Sequence, residues 1–167
     1  MSQLSPQLHE RQTLVFDLDN TLYSKASNFF ERVEVRMNMF IADALNVSYE
    51  HAGQLRFEYF KKYGTTATGL MKHHNIDFDA FMEDTHKVSL DGIEYDAQLV
   101  EVFSKLPHKK YIFSNGHAQH VDRMLLHLGL TPYVSGVMCI ERMDFVPKPA
   151  LSTYQILCQR YQLDPND

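Results

Sequence analysis

The sequence predicts an α/β fold: a doubly wound core with a parallel sheet, helices on both faces, and a helical insertion after the first strand. Two observations carry this. Apolar runs without polar alternation occupy residues 12–18, 109–113 and 137–140, the texture of strands buried in a parallel sheet, and a helical pattern follows each one. No strand pattern lies between Thr21 and Gly92, so that stretch is helical.

After the first strand, Phe30, Val33, Met37, Phe40, Ile41, Ala44 and Leu45 recur at helical spacing, with Glu31, Arg32, Glu34 and Arg36 mostly on other faces. Ser48 suits an N-cap, and a second helix runs from it through Tyr63 until Gly64-Thr65-Thr66 breaks it. Shorter helices are expected over 68–74 and 77–87, and another amphipathic helix over 96–104. The second strand closes in Ser114-Asn115-Gly116, a cluster of turn formers. A helix over 118–127 follows, with Gly129 suited to its C′ position. The third strand leads through a loop to Pro147-Lys148-Pro149, and a last helix covers 151–161.

Composition excludes several classes. With 44% hydrophobic and 22% charged residues, the chain has the makings of a soluble globular domain. A net charge of -5 gives no electrostatic case for a nucleic-acid polymer or an anionic membrane. The polar start from Met1 to Gln12 lacks the apolar centre of a secretory signal, and no apolar run could span a bilayer. The two cysteines, Cys139 and Cys158, read as free thiols in a reducing compartment, so cytoplasmic or nuclear residence is the expectation.

Chemistry concentrates where the first strand ends, in Asp17-Leu18-Asp19-Asn20-Thr21. Two carboxylates at the C-terminal end of a strand stand where open α/β folds take ligands. Their crowding needs a cation or a shared proton. One could act as nucleophile and the other as acid/base. The same letters also suit an Asp-rich turn capping a strand. Nine histidines raise the question of a metal, but His117 and His120 have no Cys or acidic partner at a standard spacing and read as surface residues.

Asp17-Leu18-Asp19-Asn20-Thr21-Leu22 resembles the first motif of the haloacid dehalogenase superfamily of phosphohydrolases. Ser114, in Phe113-Ser114-Asn115-Gly116, is similar to its second motif, and Lys148, between two prolines, to its third. The resemblance implies a Rossmann-like core over 1–21 and 93–167 and a helical cap over 22–92. It also implies Asp17 as nucleophile, Asp19 as acid/base, and Ser114 and Lys148 as holders of the phosphoryl group. Asn115 and Gly116 would lie against substrate. Mg²⁺ would be bound by Asp17 and, through its carbonyl, by Asp19. The superfamily's fourth motif, an acidic pair after a further core strand, is not reached. The C-terminal core strands are therefore expected to be missing, weakening metal binding and exposing the edge of the first strand to another chain.

Asp19 argues for phosphatases over dehalogenases, which lack an acid at this place. Tyr63-Gly64-Thr65-Thr66, with the three motifs, resembles the pyrimidine 5′-nucleotidase subgroup. That implies UMP or CMP as substrate, with Thr65 and Thr66 reaching it from the cap; read alone, the two threonines equally suit a helix-breaking turn. Two alternatives stand beside this: a phosphatase for a sugar phosphate or phosphoglycolate, and an inactive or fragmentary relative serving as an interaction module.

Overall fold

Three parallel strands, β1 (Thr13–Phe16), β2 (Lys109–Phe113) and β3 (Gly136–Met138), form a sheet in the order β1-β2-β3. The computed structural model describes residues 12–166; the start of the polar N-terminal stretch, through Arg11, and the final Asp167 lie outside the described residues. Between β1 and β2 stand α1 (Phe29–Leu45), α2 (Tyr49–Tyr63), α3 (Thr66–His74), α4 (Phe78–Thr85) and α5 (Ala97–Lys105). After β2 comes α6 (Ala118–His127), and after β3 comes α7 (Leu151–Tyr161). The α/β expectation is what the structure shows.

Local chemistry sets most boundaries. Ser48, Thr65, Asp77 and Asp96 each turn a side-chain oxygen onto a first-turn N–H of the helix that follows, satisfying donors a helix start leaves unpaired. Helix ends fall at Asn46, Gly64 and Asn75, all left-handed. The third strand is shorter than its apolar run, because Ile140–Met143 winds into a 3-10 turn.

Register places the site. Phe16 pairs with Ile112 and Phe113 with Met138, so all three strands deliver their C-terminal ends to one side. Ladder bonds continue beyond the strands: the Ser114 N–H donates to the Met138 carbonyl at 2.9 Å, and the Ile140 N–H to the Gly116 carbonyl at 3.1 Å. Among the described residues β1 is an edge strand, and Val15 on it is 44% exposed.

Two apolar clusters form the core. One gathers Leu18, Phe29, Val33, Phe103, Ile112 and Met124; the other gathers Ile41, Leu70, Phe81, Phe113, Met138 and Leu157. Helix α1 feeds both, Phe29 and Val33 to the first and Ile41 to the second. It thereby ties the helices after β1 to the ends of the strands.

Gly64 is where α2 touches the loop carrying Lys148. Its φ is +79°, and a Cβ there would lie 2.6 Å from Cγ of Pro147. Gly64→Ala is expected to lose about 1–3 kcal/mol, from left-handed strain and the clash. A urea titration checks this; an unchanged midpoint contradicts it.

Candidate active site

The strand ends at Phe16, so Asp17 and Asp19 leave it in a turn closed by the Thr21 and Leu22 N–H groups on the Leu18 carbonyl. Leu18 is fully buried between them and acts as the anchor. The two carboxylates are not left facing each other. Asp17 is exposed; its Oδ1 accepts from Lys148 Nζ at 2.8 Å and its Oδ2 from the Thr21 hydroxyl at 2.9 Å. Asp19 turns inward. Its Oδ1 accepts from His120 Nε2 at 2.7 Å and from the Tyr23 hydroxyl at 2.9 Å, and its Oδ2 from the Ser114 hydroxyl at 3.1 Å.

Lys148 Nζ also donates to the Phe113 carbonyl, so one ammonium bridges the ends of β1 and β2. Asn115 holds the loop that delivers it: Oδ1 accepts from the Lys148 N–H at 2.8 Å, and Nδ2 donates to the Lys148 carbonyl at 3.3 Å. The helix after Lys148 begins at Leu151 rather than at the lysine, because residues 147–150 form a turn with the Ala150 N–H on the Pro147 carbonyl. Gly116 packs so closely that a Cβ there would lie 3.0 Å from the His120 ring and 3.1 Å from Ser114 Oγ. Asp17, Asp19, Ser114, Asn115, Gly116 and Lys148 line one cavity of about 370 Å³.

Thr65 and Thr66 line it as well, with their hydroxyls engaged in the protein. Thr65 caps α3 by accepting from the Thr68 N–H at 3.2 Å, and Thr66 donates to the Arg56 carbonyl at 3.1 Å.

The surface reading of His117 and His120 is corrected by the structure. Both are buried, and with His86 they make a cluster of rings 4.7–6.1 Å apart. The acidic partner missing at local spacing is Asp19, supplied from 101 residues away. The only hint in the sequence is position, a histidine in the first turn after Ser-Asn-Gly. The start of α6 is equally non-local: its Ala118 N–H donates to Glu141 Oε1 at 2.9 Å, from the turn after β3.

Electrostatics follow burial and these bonds. Burial pushes the Asp19 carboxyl up, but the bond and charge of His120, with Tyr23 and Ser114, outweigh it and hold Asp19 below the usual carboxylate range. Burial, reinforced by the Asp19 charge, raises the Tyr23 phenol. Burial, with repulsion from the neighbouring rings, pushes His86 down to about 3 and His117 to about 4.

A hard cation would find oxygen donors here, though few. Among the described residues no group of three His, Cys, Asp or Glu could hold a metal. Both carboxylates accept hydrogen bonds on both oxygens, but Asp17 is the exposed one, so its carboxylate and backbone carbonyls are what a cation would meet. That set fits Mg²⁺, which keeps much of its shell as water and phosphate.

An exposed carboxylate beside a lysine and a serine, at the carboxyl ends of parallel strands, belongs to the ligand side of an α/β enzyme. The chain belongs to the haloacid dehalogenase-like hydrolases, whose family model matches residues 12–167. It is 27% identical over 138 residues to Phosphate metabolism protein 8 of Saccharomyces cerevisiae, covering 76% of this chain and 43% of that protein. The chain thus spans less than half of that relative. Among solved structures it is similar to the HAD-hydrolase YfnB of Bacillus subtilis, described as bound to magnesium (TM-score 0.52, 18% identity, 93% of this chain and 73% of that one). It is also similar to L-2-haloacid dehalogenase of Xanthobacter autotrophicus (TM-score 0.51, 18% identity, 92% and 66%). These two likenesses concern the fold. No helix among the described residues is long and apolar enough to cross a membrane.

The histidine cluster makes stability pH-dependent. His86 and His117 sit below the ordinary value of 6.5 in the folded chain, so between there and about 3–4 the unfolded chain binds protons the folded one does not. Their contribution is complete above pH 6.5 and lost as pH falls towards those folded values. Urea midpoints are expected to drop across that window, with a shallower fall in His86→Gln. A midpoint flat down to pH 4 contradicts it.

Proposed function

We propose that this hydrolase is a phosphatase acting on phosphomonoesters, with pyrimidine nucleoside 5′-monophosphates, UMP and CMP, as substrates. The observation that carries the reading is the division of labour between the paired aspartates. Asp17 is exposed and held by an ammonium, as a nucleophile would be; Asp19, two residues on, turns inward under donors. An acid/base at that second position suits a phosphatase, by the resemblance of the first motif. The yeast relative's name, which speaks of phosphate metabolism, agrees. The nucleotidase reading rests on the resemblance of residues 63–66, with 22–92 as cap over a core of 1–21 and 93–167.

The chemistry runs in two in-line steps. An Asp17 oxygen attacks phosphorus, forming an aspartyl phosphate and breaking the bond to the nucleoside 5′-oxygen, which takes a proton from Asp19. Water then attacks the aspartyl phosphate, gives its proton to Asp19, and releases phosphate with Asp17 restored. The donors around Asp19 favour its ionised form, the base of the second step. Negative charge from bound phosphate favours its protonated form, the acid of the first. Lys148 and Ser114, with the Asn115 and Gly116 backbone, hold the phosphoryl oxygens. The Asp17 carboxylate and the Asp19 carbonyl would hold Mg²⁺, which would supply further charge neutralisation.

β1, an edge strand among the described residues, favours a second reading, a relative that pairs that edge with another strand. Phosphate release separates the two. Asp17→Asn is expected to lower release from UMP and CMP by at least about a thousandfold, since it removes a covalent catalyst, while its circular dichroism stays unchanged. Undiminished release from that variant contradicts the proposal.

A further inference from the structure

Besides Asp17 and Lys148, the cavity is lined by Phe30, Val33, Met37, Phe60, Phe81 and Met82, an aromatic and aliphatic surface poorly matched to a bare sugar. Arg56 lines the same cavity, the second basic residue there beside Lys148 with a permanent charge.

Arg56 is held from several sides. Its Nε donates to Asn38 Oδ1 at 3.0 Å, and its Nη2 pairs with Glu34 Oε2 at 3.0 Å. Asn38 and Glu34 are four apart on α1 and so present one face. The Arg56 carbonyl is gripped by the Thr66 hydroxyl at 3.1 Å. The side chain is 20% exposed, and Nη1 takes part in neither bond to α1. This is a preoriented, directional donor. It is paired with a carboxylate, so it suits a neutral acceptor such as a carbonyl better than a second phosphate.

We propose that Arg56, positioned by Glu34 and Asn38, is the specificity-determining residue for the leaving group. In this assignment the apolar wall takes the face of a heteroaromatic ring while the guanidinium donates to a ring carbonyl. The chemical class selected is a phosphomonoester of a carbonyl-bearing heteroaromatic nucleoside, with sugar phosphates and bisphosphates disfavoured. The assignment rests on the nucleotidase reading and adds the residue that would enforce it.

Calorimetric binding to the Asp17→Asn chain, where turnover does not interfere, tests it with UMP and ribose 5-phosphate in magnesium-containing buffer. UMP is expected to bind more tightly than ribose 5-phosphate, and adding Arg56→Ala is expected to cut that ratio of affinities at least tenfold. Arg56→Lys keeps the charge and the apolar stem, so it guards against loss of fold; it is expected to lose the preference too, since an ammonium lacks the planar fork. If the preference survives in either variant, the role of Arg56 is overturned and the nucleotidase reading stands. If the Asp17→Asn chain binds both ligands equally, or neither, both are overturned.

Discussion

The contact on which the rest of the site depends is that of Lys148 with Asp17. One ammonium, carried on a loop clamped by Asn115, reaches the carboxylate leaving β1 and the last carbonyl of β2. It can do so because the strands are parallel and in a register that brings their C-terminal ends level. Each part fails without the others. A slip of one residue between β1 and β2 would turn the side chains of β1 to opposite faces and misplace Asp17.

The second constraint is charge. Two carboxylates separated by one residue would repel each other in a shared low-dielectric site. The protein separates them by partner: Lys148 and Thr21 for Asp17, and His120, Tyr23 and Ser114 for Asp19. His120 satisfies Asp19 while His86 and His117, pressed against it, stay neutral through burial.

Features written in local chemistry were legible in the sequence. The cap Ser48, the helices starting near 77 and 96, the strand Lys109–Phe113, and the helices Ala118–His127 and Leu151–Tyr161 follow from side-chain oxygens, apolar runs and periodicity within a few residues. Asp17, Asp19, Ser114 and Lys148 were legible because each ends or follows such an element, and the fold brings them to one cavity. The inward turn of His120, the capping of α6 by Glu141, and the hold of Glu34 and Asn38 on Arg56 were not. These pairings join residues of different elements, and no periodicity marks them. Burial of three histidines is likewise decided by packing, since a histidine on a helix gives no sign of which way its face will turn.

In the proposed mechanism Asp17 is the nucleophile and Asp19 the base that frees it. The most direct measurement is acid-quench trapping in the Asp19→Asn chain after exposure to p-nitrophenyl phosphate and magnesium, with the phosphorylated peptide mapped by mass spectrometry. Loss of the base should stall the second step and leave a phosphoryl group on Asp17. A phosphoryl group on any other residue, or nitrophenol released at the undiminished rate with none trapped, would contradict these roles for Asp17 and Asp19.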